Sequence, residues 1–307
     1  MTEQRHTYLI YFLNILAMAF WGISFVWIKI IYEFYHPFTV LVFRLFISAA
    51  LLFVLAIKFE KNAPKLEKKD LPLFMLLAFC EPFLYFVGES LGLLYVSSTV
   101  ASLIVATIPV FMVFASFLFL SEKIRARGIV GILFSIAGII ALILDKNLEF
   151  KYHPRGVILM FLAVIAAIGF NIIGSKLVKK YKPITLIKYQ NLFGAIYFIP
   201  LFLIWGKNDI FSVTPDFSII LNLVNLAVFS SSLSFLFYMM AVEKLGVNRA
   251  NIFTYLIPLF TAFFAYILVK EPFDLSKIAG LILIVTGIAV SQTNRKFKFK
   301  FLFRRGS

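Results

Sequence analysis

Arg44, Glu81, Tyr85 and Glu89 sit in stretches of sequence otherwise made almost entirely of Leu, Phe, Val, Ala and Ile. Ionisable groups in such surroundings are costly, and by default they mark function. Glu81 and Glu89 are eight residues apart, which on an α-helix is two turns plus about 80°. Tyr85 falls between them on a neighbouring face, so the three can line one side of a cavity. Carboxyl groups there suit binding of a charged substrate group or exchange of a proton. Pro82, directly after Glu81, removes a helical hydrogen bond and favours a kink. Arg44 and Glu89 reach similar depth, about 10 Å in from the same side. Two readings stay open for them: an ion pair that locks two helices, which need not be stabilising overall, or a cavity-facing charge that holds substrate. Glu81 has its own alternative, a protonated and hydrogen-bonded packing residue.

The remaining candidates are neutral. Trp21 can stack an aromatic or cationic substrate, or only pack between helices. Asn171, Gln190 and Tyr238 offer hydrogen bonds at apolar depth. The serines at 230, 231, 232 and 234 more often serve close packing and interhelical hydrogen bonds than ligand binding. Pro109 and Pro258 are placed to kink helices and act as gating joints. Gly88-Glu89-Ser90-Leu91-Gly92 fits the G-x-S-x-G pattern of serine hydrolases, but that motif needs a strand-to-helix elbow and a histidine partner. His6, His36 and His153 fall at loop or terminal positions, so Gly88 and Gly92 read instead as a G-x-x-x-G packing face. The lone Cys80 joins no ligand cluster. No metal, no cofactor and no enzymatic activity are expected.

The elements that carry these residues must be membrane helices. Hydrophobic residues make up 62% of the 307 and charged residues 15%, too little polar surface to coat a soluble domain. Apolar stretches of about 20 residues recur, long enough to cross a hydrocarbon core of roughly 30 Å. Ten spans are expected, near 8–31, 37–58, 71–95, 98–120, 127–144, 155–178, 184–205, 217–243, 247–269 and 274–293. The first has no small-residue cleavage site behind it and is read as retained. With the N-terminus cytoplasmic, the inward-facing segments hold 20 Lys and Arg and the outward-facing ones six. That asymmetry places both termini inside. The net charge of +15 then reports topology, and no nucleic-acid partner is needed to explain it. Lys29, Lys176 and Lys188 lie near span ends, where their amines can snorkel to the interface. The Lys/Phe-rich tail after residue 294 suits contact with anionic lipid headgroups.

The chain is also written twice. Residues 101–111, with Pro109, align with 250–260, with Pro258, at an offset of 149. The same offset carries Glu122 onto Glu271, Gly131 onto Gly280 and Gly138 onto Gly287. Slightly smaller offsets carry Gly22 onto Gly169, Lys29 onto Lys176 and Pro37 onto Pro183. The units are 1–146 and 147–294, followed by the basic tail 295–307. Five spans per unit is an odd number, so the second unit must enter from the opposite side. The expected fold class is an all-α integral membrane protein of ten helices in two inverted five-helix repeats, with a substrate site near the midplane between them. An internal duplication removes the need to dimerise, so a monomer is expected to function. Positions where the copies agree read as scaffold and hinge. Positions where they differ, Arg44/Gln190, Glu81/Ser230 and Glu89/Tyr238, read as substrate chemistry.

Several elements together resemble the drug/metabolite transporter superfamily in its EamA-type ten-span branch. They are Ala19-Phe20-Trp21-Gly22-Ile23-Ser24-Phe25, Arg44-Leu45-Phe46, and the repeated Ala-to-Pro span ending in Glu122 or Glu271 with its following Gly pair. The resemblance implies a bacterial inner-membrane permease or exporter of small metabolites, often amino acids, and leaves the substrate open. The second copy departs from the pattern, with Ile168 at the Trp21 position and Gln190 at the Arg44 position. The reading is a secondary transporter, with protons as candidate coupling ions and export as the expected direction. Its alternatives are an uncoupled uniporter, an integral membrane enzyme and a structural protein.

Overall fold

The computed structural model describes residues 2–59, 66–120, 151–209 and 216–271, with isolated positions beyond them. Most of the expected fifth and tenth spans, Glu122, Gly131, Gly280, Gly287 and the basic tail lie outside the described residues. Among the described residues every regular element is helical. The α-helices are α1 (Thr2–Ile31), α2 (Pro37–Phe59), α3 (Leu71–Ala78), α4 (Tyr85–Gly92), α5 (Ser98–Val105) and α6 (Ile108–Leu120), then α7 (Pro154–Leu177), α8 (Pro183–Leu201), α9 (Phe217–Asn225), α10 (Phe235–Leu245), α11 (Val247–Asn251) and α12 (Leu256–Val269). They assemble into 8 stretches long and apolar enough to cross a membrane, each within three residues of an expected span.

Local chemistry sets the helix ends. Proline occupies the first position of α2, α7 and α8, where a missing N–H costs nothing. The Ser97 and Asp216 side chains accept from the backbone N–H of Val100 and Ile219, capping α5 and α9. Gly246, at φ 84°, turns the chain out of α10, a backbone conformation that favours glycine.

Four of the eight spans are interrupted, and the interruptions recur at matching places in the two halves. Between α3 and α4 the segment Phe79–Leu84 is π-helical, and Glu81 there leaves helical geometry altogether, at φ −147° and ψ 120°. Pro82 therefore does more than kink its span, because the helix opens at the residue before the ring. The second half carries a π-helical segment, Leu226–Ser234, between α9 and α10. The spans Ser98–Phe119 and Val247–Val269 break at Ala106–Thr107 and across the 3-10 turn Ile252–Tyr255. Both breaks come just ahead of Pro109 and Pro258. A proline ring clashes with the carbonyl four residues earlier and donates nothing to it, which disrupts the preceding turn.

Helices of the first half pack against helices of the second, and each such contact has a counterpart at the repeat offset. Helix α1 packs on α12, as α7 packs on α6; α4 packs on α7, as α10 packs on α1; α2 and α8 lie against each other. The α4–α7 contact is intimate because Gly88 has no Cβ: one placed there would lie 2.5 Å from the Leu159 carbonyl oxygen. The expected G-x-x-x-G packing face is found there. Large apolar side chains such as Ile57, Ile158, Phe217 and Tyr266 point outward and are at least two-thirds exposed. Such a surface suits lipid rather than water.

Candidate functional site

The breaks surround a cavity of about 540 Å³, measured out to its mouth. Both halves line it, in several cases with residues at equivalent repeat positions: Ser24 and Asn171, Glu81 and Ser230, Phe86 and Phe235, Glu89 and Tyr238, Val105 and Thr254, Ile108 and Ile257. Trp21, Phe25, Arg44, Tyr85, Ala167, Phe170 and Asn251 complete the wall. The charge is one-sided. Arg44, Glu81 and Glu89 come from the first half, while the second half contributes amides, hydroxyls and rings.

Arg44 reaches the cavity from the middle of α2 and is 1% exposed. Its Nε donates to Ser231 Oγ at 2.9 Å and its Nη2 to Ser230 Oγ at 3.3 Å, while the guanidinium lies 4.3 Å from the centre of the Phe86 ring. The third nitrogen, Nη1, is buried and has no hydrogen-bond partner among the described residues. The direct Arg44–Glu89 pair considered from sequence is not formed: the serines of the second π-helical segment take the guanidinium instead. Ser230 and Ser231 make interhelical hydrogen bonds to Arg44, and Ser230 also lines the cavity. Ser48, Asn191 and Ser232 carry a hydrogen-bonded ladder on from there and tie α2, α8 and the π-helical segment together.

Glu89 accepts a hydrogen bond from Tyr85 at 3.0 Å, one helical turn away. Glu81 is 6% exposed and lines the cavity. Its placement follows from the open backbone, which turns the side chain off the helical track into the cavity. On the opposite wall Tyr238 donates a short hydrogen bond to Asn171 Oδ1. Trp21 makes edge and tilted contacts with Phe235 and Tyr238, at 5.0 and 5.4 Å between centroids, so it packs and lines the wall at once.

Seven of the eight sequence candidates for substrate contact thus share one cavity. Gln190 does not line it; fully buried in α8, its amide atoms have no hydrogen-bond partners among the described residues. Ser24, Phe86, Phe235, Asn251 and Thr254 escaped the sequence reading. Their signal was the repeat offset applied to cavity positions, which needs the helix faces to be known first. Among the described residues no cluster of His, Cys, Asp and Glu has the geometry to hold a metal ion.

The rims carry separate polar ties between the halves. Lys180 bridges Asp70 at 2.5 Å and Glu67 at 2.7 Å, and Tyr181 donates to Asp70. The Lys180 ammonium, then that of Lys69, holds the Glu67 carboxyl below its usual range. Elsewhere Asp209 accepts from the His36 backbone N–H and from Thr39 Oγ1, both at 2.7 Å. Glu271, just past α12, accepts from the Thr99 backbone N–H at 3.4 Å.

A chain of apolar helices, broken around a cavity that both of its halves line with a few charged and polar groups among apolar ones, has the architecture of a multi-pass membrane transporter. The comparisons agree: the chain belongs to the EamA-like transporter family, whose profile matches residues 8–144 and again 154–293. It is 30% identical to an uncharacterized transporter of Archaeoglobus fulgidus, over 90% of this chain and 95% of that protein. It is 27% identical to the uncharacterized transporter YetK of Bacillus subtilis, over 91% of this chain and 86% of YetK. A solved crystal structure superposes with a TM-score of 0.69 at 17% identity, covering 92% of this chain and 95% of that one, a likeness of fold.

Proposed function

We propose that the protein is a secondary transporter that moves a small metabolite by alternating access, with the cavity at the helix breaks as its binding site. The observation that carries this reading is the lining of one cavity by equivalent positions of both halves. Ten spans in two inverted repeats, both termini cytoplasmic, and action as a monomer in the lipid bilayer of the inner membrane complete it. The paired packing contacts and the two separate family matches support the duplication. If each half can adopt the other's arrangement, the cavity opens to one side and then the other.

The chemistry of the wall suggests the cargo. Arg44 offers a guanidinium donor to a carboxylate or similar acceptor. Glu81 and Glu89 offer a site for a cationic group or a proton, and the rings of Trp21, Phe86, Phe235 and Tyr238 hold an apolar body. A small zwitterion such as an amino acid meets all three, with export as the proposed direction. Uncoupled uniport is the second reading, favoured if both carboxyl groups serve only to hold substrate.

The test is flux into liposomes containing the purified protein, with a panel of labelled amino acids and related metabolites, with and without an imposed pH gradient. Saturable flux that rises with the gradient and loses that dependence in Glu81→Gln or Glu89→Gln supports a coupled transporter. Flux indifferent to both the gradient and the substitutions supports uniport. Absence of saturable flux for the whole panel counts against the proposal.

A further inference from the structure

Helices α5 and α6, and α11 and α12, form two broken spans that cross beside the cavity. They touch on one side through α5 with α12 and on the other through α6 with α11. The breaks themselves, at Ala106–Thr107 and Ile252–Tyr255, lie at cavity level, since Val105, Ile108, Thr254 and Ile257 line the wall. Each half-helix is therefore attached through an irregular joint, and α5 and α12 meet beside the cavity.

The polar groups at that contact bridge the two halves. Helix α12 ends at Lys270 in the left-handed conformation, φ 52° and ψ 34°, an uncommon backbone for a residue with a side chain. The turn is held by the Glu271 N–H on the Ala265 carbonyl, and it throws the Glu271 carboxylate back onto the first turn of α5 at Thr99 N. A carboxylate there meets free N–H groups and the positive end of the helix dipole. The residue before Thr99 continues the chain of contacts: Ser98 Oγ donates to the carbonyl of Phe25, which lines the cavity. Beneath it Thr261 Oγ1 of α12 donates to the Gly22 carbonyl of α1.

We infer that Glu271 is the latch of a gate formed by α5 and α12, fastening second half to first, and that the transport cycle must release it to admit or discharge cargo on that side. This rests on the proposed transport role of the cavity. The latch fits its task because a contact between a carboxylate and a helix N-terminus holds little energy, so an ordinary cargo can offset its release. The left-handed Lys270 supplies aim: the carboxylate is directed at α5 by backbone geometry rather than by a flexible loop.

The test needs no knowledge of the cargo. A reporter, Val105→Cys, is placed in the Cys80→Ala background, and its reaction with a membrane-impermeant methanethiosulfonate is timed in proteoliposomes of known orientation. Glu271→Gln is expected to speed labelling from the side of the α5–α12 contact by about two- to fivefold, the range of a helix-end charge interaction. Glu271→Asp, which keeps the charge and shortens the reach, should fall between the two. Monodisperse elution and an unchanged labelling rate at an exposed control cysteine verify folding, and if Glu271→Gln fails them the Asp variant decides. Labelling that is unchanged or slower in the folded variant overturns the latch while leaving the transport reading standing. A reporter that never labels from either side, in any variant, overturns both.

Discussion

Arg44→Met separates a structural role for the buried guanidinium from a substrate-binding one. The substitution removes two hydrogen bonds from a charged donor, worth about 1.5–3 kcal/mol each, and a ring contact worth up to about 2 kcal/mol when desolvated. Against that stands the cost of holding an ion in the protein interior. Arg44 is 1% exposed, its partners are neutral hydroxyls rather than a carboxylate, and Nη1 has no hydrogen-bond partner among the described residues. That cost is several kcal/mol, and replacing buried charge by an apolar side chain of similar size is often neutral or stabilising. The terms offset to within about 2 kcal/mol, a shift in melting temperature of about 4–8 °C at most for a chain of this size. Flux of the cargo should nonetheless fall at least tenfold, the equivalent of one charge-assisted contact. The assay pairs a melting curve of the detergent-solubilised protein with liposome flux. A melting temperature lower by more than about 10 °C, the mark of a broken buried lock worth 3–5 kcal/mol, with flux intact in the folded fraction, would refute the reasoning.

Three further outcomes are expected. Gly194→Val should destabilise by about 1–3 kcal/mol or more, read as a lower melting temperature, because a Cβ at Gly194 would lie 2.1 Å from Pro82 Cγ. Tyr85→Phe removes the hydrogen bond that Tyr85 donates to Glu89 and leaves the wall's shape, so it should alter the pH dependence of flux more than the melting temperature. At the rim, Glu67 titrates lower in the folded state because Lys180 and Lys69 stabilise its charge. A depressed carboxyl value adds stability above the ordinary range near pH 4, lost as the pH falls through the folded value. Acid melting curves of the wild type should thus fall in that window, and Lys180→Met should flatten the fall. An equal slope in the variant would remove the rim tie from the account.

Much of the fold was legible because the membrane imposes simple rules. A span must be long, apolar and internally hydrogen-bonded, so composition and length alone set eight spans to within three residues. The duplication was equally visible, since Pro109/Pro258 and the aligned runs around them need only a ruler. The depth of Arg44, Glu81 and Glu89 followed from a rise of about 1.5 Å per residue. Partners did not follow, because depth says nothing of the face on which a neighbour lies. Arg44 and Glu89 share a level, yet the guanidinium turns to Ser230 and Ser231 across the repeat boundary. Gln190 shares a repeat position with Arg44, yet it stays out of the cavity.

The sequence by itself determined that the chain crosses a membrane many times, that its two halves are copies, and that its rare buried charges belong to the first copy. Those properties are set by side-chain transfer energies and by repetition along the chain, and neither depends on which helices touch. Tertiary structure alone decided that the breaks near Glu81, Ser230, Thr107 and Tyr255 converge on one cavity, and that Arg44 is held by hydroxyls. Convergence depends on how helices cross, and crossing is fixed by close-packed contacts such as Gly88 on Leu159 and Gly194 on Pro82. Residues more than a hundred positions apart make those contacts, and no local pattern encodes them.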